Sequence, residues 1–180
     1  MRINHVKRHA VIQPLNESYR FIPLTQGQNA IVDAEDFEWL SQWNWCVSKI
    51  GNSFYAVRAN SILMHRKILH CRRSSEQGDH KNGNTLDNRK NNLRKCSNHQ
   101  NTWNVGPPKN NTSGFKGVSF RRDIGWYARI RVNGERIWLG YFDSAEVAAR
   151  AYDAAAKSYH GEFAHLNLPG AAHRQLLLLP

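Results

Sequence analysis

"GWYARIRVNGERIWLGYF" occupies Gly125–Phe142 and decides the fold of the second half of the chain. Two runs rich in aromatic and β-branched residues flank Asn133-Gly134. That dipeptide is a strong two-residue hairpin signal, because both positions accept positive φ. Upstream, "FKGVSF" supplies a third strand candidate. Successive strand side chains point to opposite faces. Trp126, Ala128, Ile130 and Val132 therefore share one face of the middle strand, and Tyr127, Arg129 and Arg131 the other. In the last strand Ile137, Leu139 and Tyr141 alternate with Arg136 and Trp138.

The next stretch, "DSAEVAARAYDAAAKSYHG", reads as a helix. Asp143 or Ser144 can cap it, Glu146 favours its first turn and Gly161 can end it. Val147, Ala148, Ala151, Tyr152 and Ala155 form the expected apolar stripe, small enough to lie close to a sheet. If the helix covers the apolar sheet face, Arg129, Arg131, Arg136 and Trp138 are left exposed on the other. Arginine forks match guanine edges and phosphates, and a β-ribbon fits the major groove.

From Gly114 to Pro169 the sequence strongly resembles the APETALA2/ethylene-response-factor DNA-binding domain, through "WLGYF", "AEVAARAYDAAA" and "LNLP". The resemblance covers nearly all of residues 113–169. It implies a three-stranded sheet lying in the major groove of double-stranded DNA, with contacts from Lys116, Arg121, Arg129, Arg131, Arg136 and Trp138. Ser119 stands where that family usually has a contacting arginine, and Arg129 replaces a glutamate. The proline-tryptophan of the family's first turn is absent. The target sequence is therefore not inherited from the plant factors.

The bulk numbers agree with a nucleic-acid partner. The 180 residues carry 25 Lys+Arg against 14 Asp+Glu, a formal charge of +11, with 41% hydrophobic residues. That is enough apolar matter for a core, and enough positive charge to attract polyanions whatever their sequence. The start has no apolar signal region and no apolar run nears the length of a membrane helix, so neither a leader nor a membrane partner is expected. Cys46, Cys71 and Cys96 are odd in number and widely spaced, which fits a reducing compartment. A zinc site from Cys71, Cys96 and His99 is a weaker reading, because no paired Cys-x-x-Cys exists.

The first half is less regular. "RFIPLTQGQNAIVD" reads as two strands around Gly27, and "DAEDFEWLSQW" as a short helix capped by Asp33, with Phe37, Leu40 and Trp43 at helical spacing. "NWCVSKIGNSFYAVRA" looks like a hairpin turning near Gly51-Asn52. "SILMHRKILH" fits strand or helix equally. "VGPPKNNTSG" is a linker by composition. The expected organisation is an N-terminal extension (1–19), a first domain (20–104), a linker (105–112), the sheet-and-helix domain (113–169) and a tail (170–180).

Within the first domain, "GDHKNGNTLDNRKNNLRKCSNHQN" (Gly78–Asn101) puts Asp79 beside His80 and then supplies many amides. Phosphodiester hydrolysis needs an activated water and a cation, and Mg²⁺ needs few protein oxygens. The ordered set "DH", "NG", "NNLR" and an asparagine-bearing helix resembles the HNH endonucleases, closest to their phage and intron-homing branch. "MHRKIL" also recurs there, and the resemblance extends over residues 20–104.

That resemblance implies a ββα-metal finger. Its first strand ends at Asp79-His80, its second carries Leu93-Arg94, and its helix covers roughly Ser97 to Trp103. It makes His80 the general base and Asp79 a metal ligand. Asn92 ties down the loop and orients His80, and Asn101 is the second ligand, with Asn104 its competitor. His65, Arg66 and Arg94 support the site.

The expected class is thus α+β: an HNH nuclease module joined by a short linker to an APETALA2-like domain. The expected function is a homing-type, Mg²⁺ (or Mn²⁺) dependent DNA endonuclease in the cytoplasm of a bacterial or phage-infected cell, needing no obligate protein partner. The alternative is a non-catalytic DNA-binding transcriptional regulator that keeps an inactive finger.

Overall fold

The computed structural model describes residues 8–15 and 18–170. The expectations for 1–7, 16, 17 and 171–180, parts of the N-terminal extension and the tail, lie outside the described residues. The chain divides into two compact units, one ending at Asn101 and one beginning at Thr102. Both are built from small antiparallel sheets and short helices, an α+β architecture. Among the described residues no helix is long and apolar enough to cross a membrane.

The first unit opens with the hairpin β1 (Tyr19–Pro23) and β2 (Asn29–Asp33), turning through Gly27 at φ 69°. Helix α1 (Ala34–Ser41) follows. Asp33 sits at its N-cap position, but its side chain makes no cap bond. The carboxylate instead accepts the Lys90 N–H at 2.7 Å, from far along the chain. Leu40 is buried, whereas Trp43 lies beyond the helix and is 44% exposed.

A second sheet is formed by β3 (Cys46–Ile50), β4 (Ser53–Arg58) and β5 (Ile62–Leu63). The ambiguous stretch at 61–70 is both kinds of structure in succession. Strand β5 passes directly into the short helix α2 (Met64–Ile68). Strands β6 (Gln77–His80) and β7 (Leu93–Cys96) pair antiparallel and lead into α3 (Asn98–Trp103). The core gathers Ile22, Leu24, Val32, Leu40, Trp45 and Met64, all nearly or wholly buried. Gly78 is required where it stands, because a Cβ there would meet the His65 ring at 2.5 Å.

The second unit is the sheet β8 (Val118–Arg121), β9 (Gly125–Val132) and β10 (Glu135–Phe142), in the order β10-β9-β8, with α4 (Ala145–His160) packed on it. Asn133 and Gly134 turn the β9–β10 hairpin at φ 50° and 92°. Ser144 caps α4 by accepting the Val147 N–H at 3.2 Å. Val118, Ala128 and Ile130 from the sheet meet Ala148, Ala149, Tyr152 and Ala156 from the helix.

Two sequence expectations are corrected in this unit. The buried stripe of α4 is Ala145, Ala148, Ala149, Tyr152 and Ala156, and Val147 is 48% exposed. Alanine occurs all round this helix, so the 3.6-residue period alone does not single out one stripe. In β10 the register shifts between Trp138, opposite Arg129, and Gly140, opposite Ala128. This β-bulge adds a residue and reverses the parity beyond it. Tyr141, expected on the covered face, is therefore 57% exposed.

The sheet and α4 meet most closely at Gly117, where φ is 76° and a Cβ would fall 2.2 Å from the Tyr152 ring and 2.7 Å from the Arg129 carbonyl. Gly117→Ala combines overpacking with a left-handed alanine and is expected to cost roughly 2–4 kcal/mol. Thermal unfolding should show a midpoint lowered by about 10 °C or more; an unchanged midpoint would refute the close approach.

His65 on α2 is 4% exposed, and burial, aided by the neighbouring His80 and Arg66, pushes its pKa down from 6.5 to about 3. His80 is lowered in the same direction, again mainly by burial. The unfolded chain takes up the His65 proton below pH 6.5 and the folded chain does not. Stability is therefore complete above 6.5 and declines as the pH falls towards 3, by up to about 1.4 kcal/mol per pH unit from His65, with His80 acting in the same direction. Denaturant midpoints should fall steadily from about pH 6.5 to about pH 4. A flat profile would mean that His65 is not buried neutral.

Candidate nucleic-acid interface

The β-ladder fixes one face of the second unit. Ala128 and Ile130 of β9 point at α4, so Tyr127, Arg129 and Arg131 point away. On β10 Arg136 lies directly opposite Arg131, and Trp138 directly opposite Arg129. All three arginines are exposed, and Trp138 is 49% exposed. Tyr127 stacks on Trp138 with ring centroids 5.1 Å apart and an interplanar angle of 20°. Tyr141, turned outward by the bulge, meets the edge of Trp138 at 4.9 Å. The face is thus an aromatic row with arginines beside it. Tyr141 was missed from the sequence because a bulge has no composition signal beyond Gly140, at φ 123°.

Like charges directly opposite across a ladder destabilise it. Arg131 and Arg136 are such a pair. The Arg131 side chain donates its Nε–H to the Gly134 carbonyl at 3.2 Å, which orients it without neutralising it. Arg121 is different, since its guanidinium is ion-paired with Asp123 at 2.6 Å. Lys116 is different again. Its Nζ donates to the Trp103 and Val105 carbonyls, each at 2.6 Å, and burial lowers its pKa to about 8. The structure therefore brings Arg129, Arg131, Arg136 and Trp138 together, and holds Lys116 and Arg121 in local contacts.

The Asp-His stretch of the first unit forms a buried polar cluster. The Asp79 Oδ2 accepts from Arg94 at 2.8 Å and 2.6 Å, across the β6–β7 ladder that sets the two residues opposite each other. His80 Nε2 lies 3.4 Å from the Asn88 Oδ1, and its ring meets His65 at 4.8 Å and Tyr55 at 6.2 Å. Asn92 accepts the Asn82 N–H at 3.0 Å and donates to the Asp87 carbonyl at 2.8 Å. Asn88, which bonds His80, was not singled out from the sequence. Asn101 is half-buried in α3, and among the described residues no hydrogen bond joins it to Asp79 or His80. Asn104 lies just past α3, and its carbonyl accepts a bond from the His165 ring. Arg66 braces a neighbouring loop through the carbonyls of Arg73 and Glu76.

The amides between these residues act as surrogate backbone. Asn82 accepts from the Asn84 N–H at 2.8 Å, Asn84 from the Leu86 N–H at 3.1 Å, and Asn88 donates to the Leu86 carbonyl at 3.0 Å. Arg89 forks onto Asp87 at 2.8 and 2.7 Å. Ile31 of β2 bonds on either side of Asp87, donating to the Leu86 carbonyl and accepting from the Asn88 N–H. A loop can be buried when its polar groups are satisfied in this way.

No family model and no solved structure matches the chain. It is similar to dehydration-responsive element-binding protein 2C of Arabidopsis thaliana, 46% identical over 71 residues, which is 38% of this chain and 21% of that protein. It is also similar to dehydration-responsive element-binding protein 2D of the same plant, 48% identical over 66 residues, 36% of this chain and 32% of that protein. Ethylene-responsive transcription factor ERF013, again from A. thaliana, is 46% identical over 63 residues, 34% of this chain and 26% of that protein. The chain spans between about a fifth and a third of the length of these curated relatives.

These relatives support the APETALA2/ERF resemblance of the C-terminal part and give no support to the HNH resemblance. They correct three expectations. The expected endonuclease is overturned, because the relatives are named element-binding proteins and transcription factors, not enzymes. The expected Mg²⁺ (or Mn²⁺) is overturned with it. Among the described residues no group of three or more His, Cys, Asp or Glu is placed to hold an ion, and Asp79 is already paired with Arg94. The expected bacterial or phage-infected cytoplasm gives way as well, since the relatives are plant transcription factors. What the comparisons leave is a C-terminal sheet-and-helix unit similar to the DNA-binding part of plant regulators.

Proposed function

We propose that the chain is a non-catalytic DNA-binding regulator whose β8–β10 sheet enters the major groove of double-stranded DNA. The observation that carries this reading is the uncovered face of Arg129, Arg131, Arg136 and Trp138, with two arginines directly opposed and, among the described residues, no acidic side chain bonded to them. A polyanion relieves that repulsion, and guanidinium forks suit guanine edges and phosphates alike. The aromatic row of Tyr127, Trp138 and Tyr141 gives the face apolar surface for sugars and thymine methyls. The names of the relatives agree with this partner. Lys116 and Arg121 contribute less in this reading, because both cations already have partners. The ββα arrangement of residues 77–103 serves as a folded support.

Anisotropy titration of the full chain against a random-sequence duplex over a salt series tests the assignment. Arg136→Ala should weaken binding roughly fivefold or more and lower the salt slope by about one. Trp138→Ala should weaken binding similarly while leaving the slope in place, because it carries no charge. Either variant binding as tightly as the parent at every salt concentration would remove the sheet face from the interface.

A further inference from the structure

The sheet reading leaves unused a dense run of positive charge in the first unit. "HRKILHCRR" (His65–Arg73) holds four cationic side chains and two histidines in nine residues, with no acid. The structure folds this run around an open cavity of about 430 Å³, lined by Ile62, Arg66, Lys67, His70, Cys71 and Arg72 among others. Among the described residues no acidic side chain lines it.

The local geometry separates the cations into two kinds. Arg66 is a brace, donating to the carbonyls of Arg73 and Glu76 and to the Gln77 Oε1 at 3.4 Å. Lys67, His70 and Arg72 are exposed, and among the described residues no hydrogen bond or ion pair holds their side-chain nitrogens. The nearby Glu76 carboxylate accepts the backbone N–H groups of Arg72 and Arg73 at 2.8 and 3.3 Å, so it fixes the loop and leaves the side chains unmatched.

His70 adds a second, independent sign. It sits at φ 51°, a conformation uncommon outside glycine, and closes α2 with its N–H on the Lys67 carbonyl at 3.2 Å. Glycine is the residue that takes this position without strain. A histidine held there at a cost puts an imidazole in the lining of the cavity together with Lys67 and Arg72.

We propose that this cavity receives a phosphate of a DNA backbone, giving the first unit its own contact with the duplex. The partner is the one in the sheet reading, and the residues are different ones. Three groups able to donate to one anion surround the opening, and Ile62 and Leu63 line the rest, which suits a phosphate attached to a sugar. The contact is sequence-independent and adds affinity through released counterions.

Two measurements on the full chain test this. First, the triple variant Lys67→Ala, His70→Gly, Arg72→Ala removes the donors while keeping a residue suited to φ 51°. At pH 8 its salt slope on a random-sequence duplex should fall by about two, one for each lost cation. An unchanged slope overturns the proposal. The Arg136→Ala variant, measured alongside, fails separately. If it binds normally while the triple variant loses slope, the sheet reading falls and the cavity stands.

Second, the unmodified protein needs no folding control. Bound duplex should slow alkylation of Cys71 severalfold, read by peptide mass mapping, and inorganic phosphate at the same total phosphate concentration should not. Equal rates with and without duplex overturn the proposal. Protection by inorganic phosphate alone would overturn the backbone assignment in favour of a free-anion pocket.

Discussion

The contact on which the second unit depends is that between Tyr152 and the backbone at Gly117. A three-stranded sheet has two faces, and a chain of this length covers one with a single helix. Alanines at 145, 148, 149 and 156 let α4 sit low on β9, and Gly117 removes the last obstacle to the Tyr152 ring. Once one face is sealed in this way, period-2 alternation leaves every other side chain of β9 to solvent, and in β10 the bulge changes the parity once. The arginine face is the geometric complement of the helix-covered face. An exposed sheet face normally carries mixed polar residues. This one carries opposed arginines and stacked aromatics, which store a tendency to accept an anion.

The first unit solves a different problem. It buries polar side chains of a loop, Asp87, Asn88 and Asn92, instead of avoiding them. Asp87 and Asn88 are 2% and 1% exposed, deeper than many of the unit's apolar side chains. Burial at that depth is tolerable because each amide substitutes for a missing backbone partner, and because β2 grips the loop through Ile31. The Asp79–Arg94 pair and the His65–His80 contact lie against this loop and share its isolation from water. The cluster has the residue types of a catalytic centre, but its bonds are those of a self-satisfied scaffold.

Much of the architecture was legible because its signals are local. Gly27, Gly51-Asn52 and Asn133-Gly134 each turn a hairpin where turn chemistry places one. Ser144 caps α4 through its own hydroxyl, and alternation alone separates Arg129 and Arg131 from Ala128 and Ile130. What failed was non-local or degenerate. A bulge at Leu139 moved Tyr141 to the other face. An alanine-rich helix gave several equivalent stripes. Asp33 gave its carboxylate to Lys90, 57 residues away, instead of to its own helix. The reading of Asp79, His80 and the following asparagines as metal-dependent catalysis failed for a related reason. Residue types and order are visible in a sequence, but bonding partners are not. Arg94 as the partner of Asp79 emerges only when the β6–β7 register is known, and Asn88 beside His80 only when the course of the loop is.

The same amides that brace the 81–92 loop bring a chemical liability. Asn82 precedes Gly83, the pairing most prone to spontaneous loss of the side-chain amide through attack by the next backbone nitrogen. In the folded chain that nitrogen is occupied, donating to the His80 carbonyl at 2.9 Å, and the Asn82 amide donates to Asp87 Oδ2 at 3.1 Å. Conversion of Asn82 to a carboxylate would turn the second bond into a repulsion between two anions at the centre of the loop. The loop is therefore shielded from ageing only while it is folded. Each excursion to an open state frees the Gly83 nitrogen for the reaction whose product makes refolding harder.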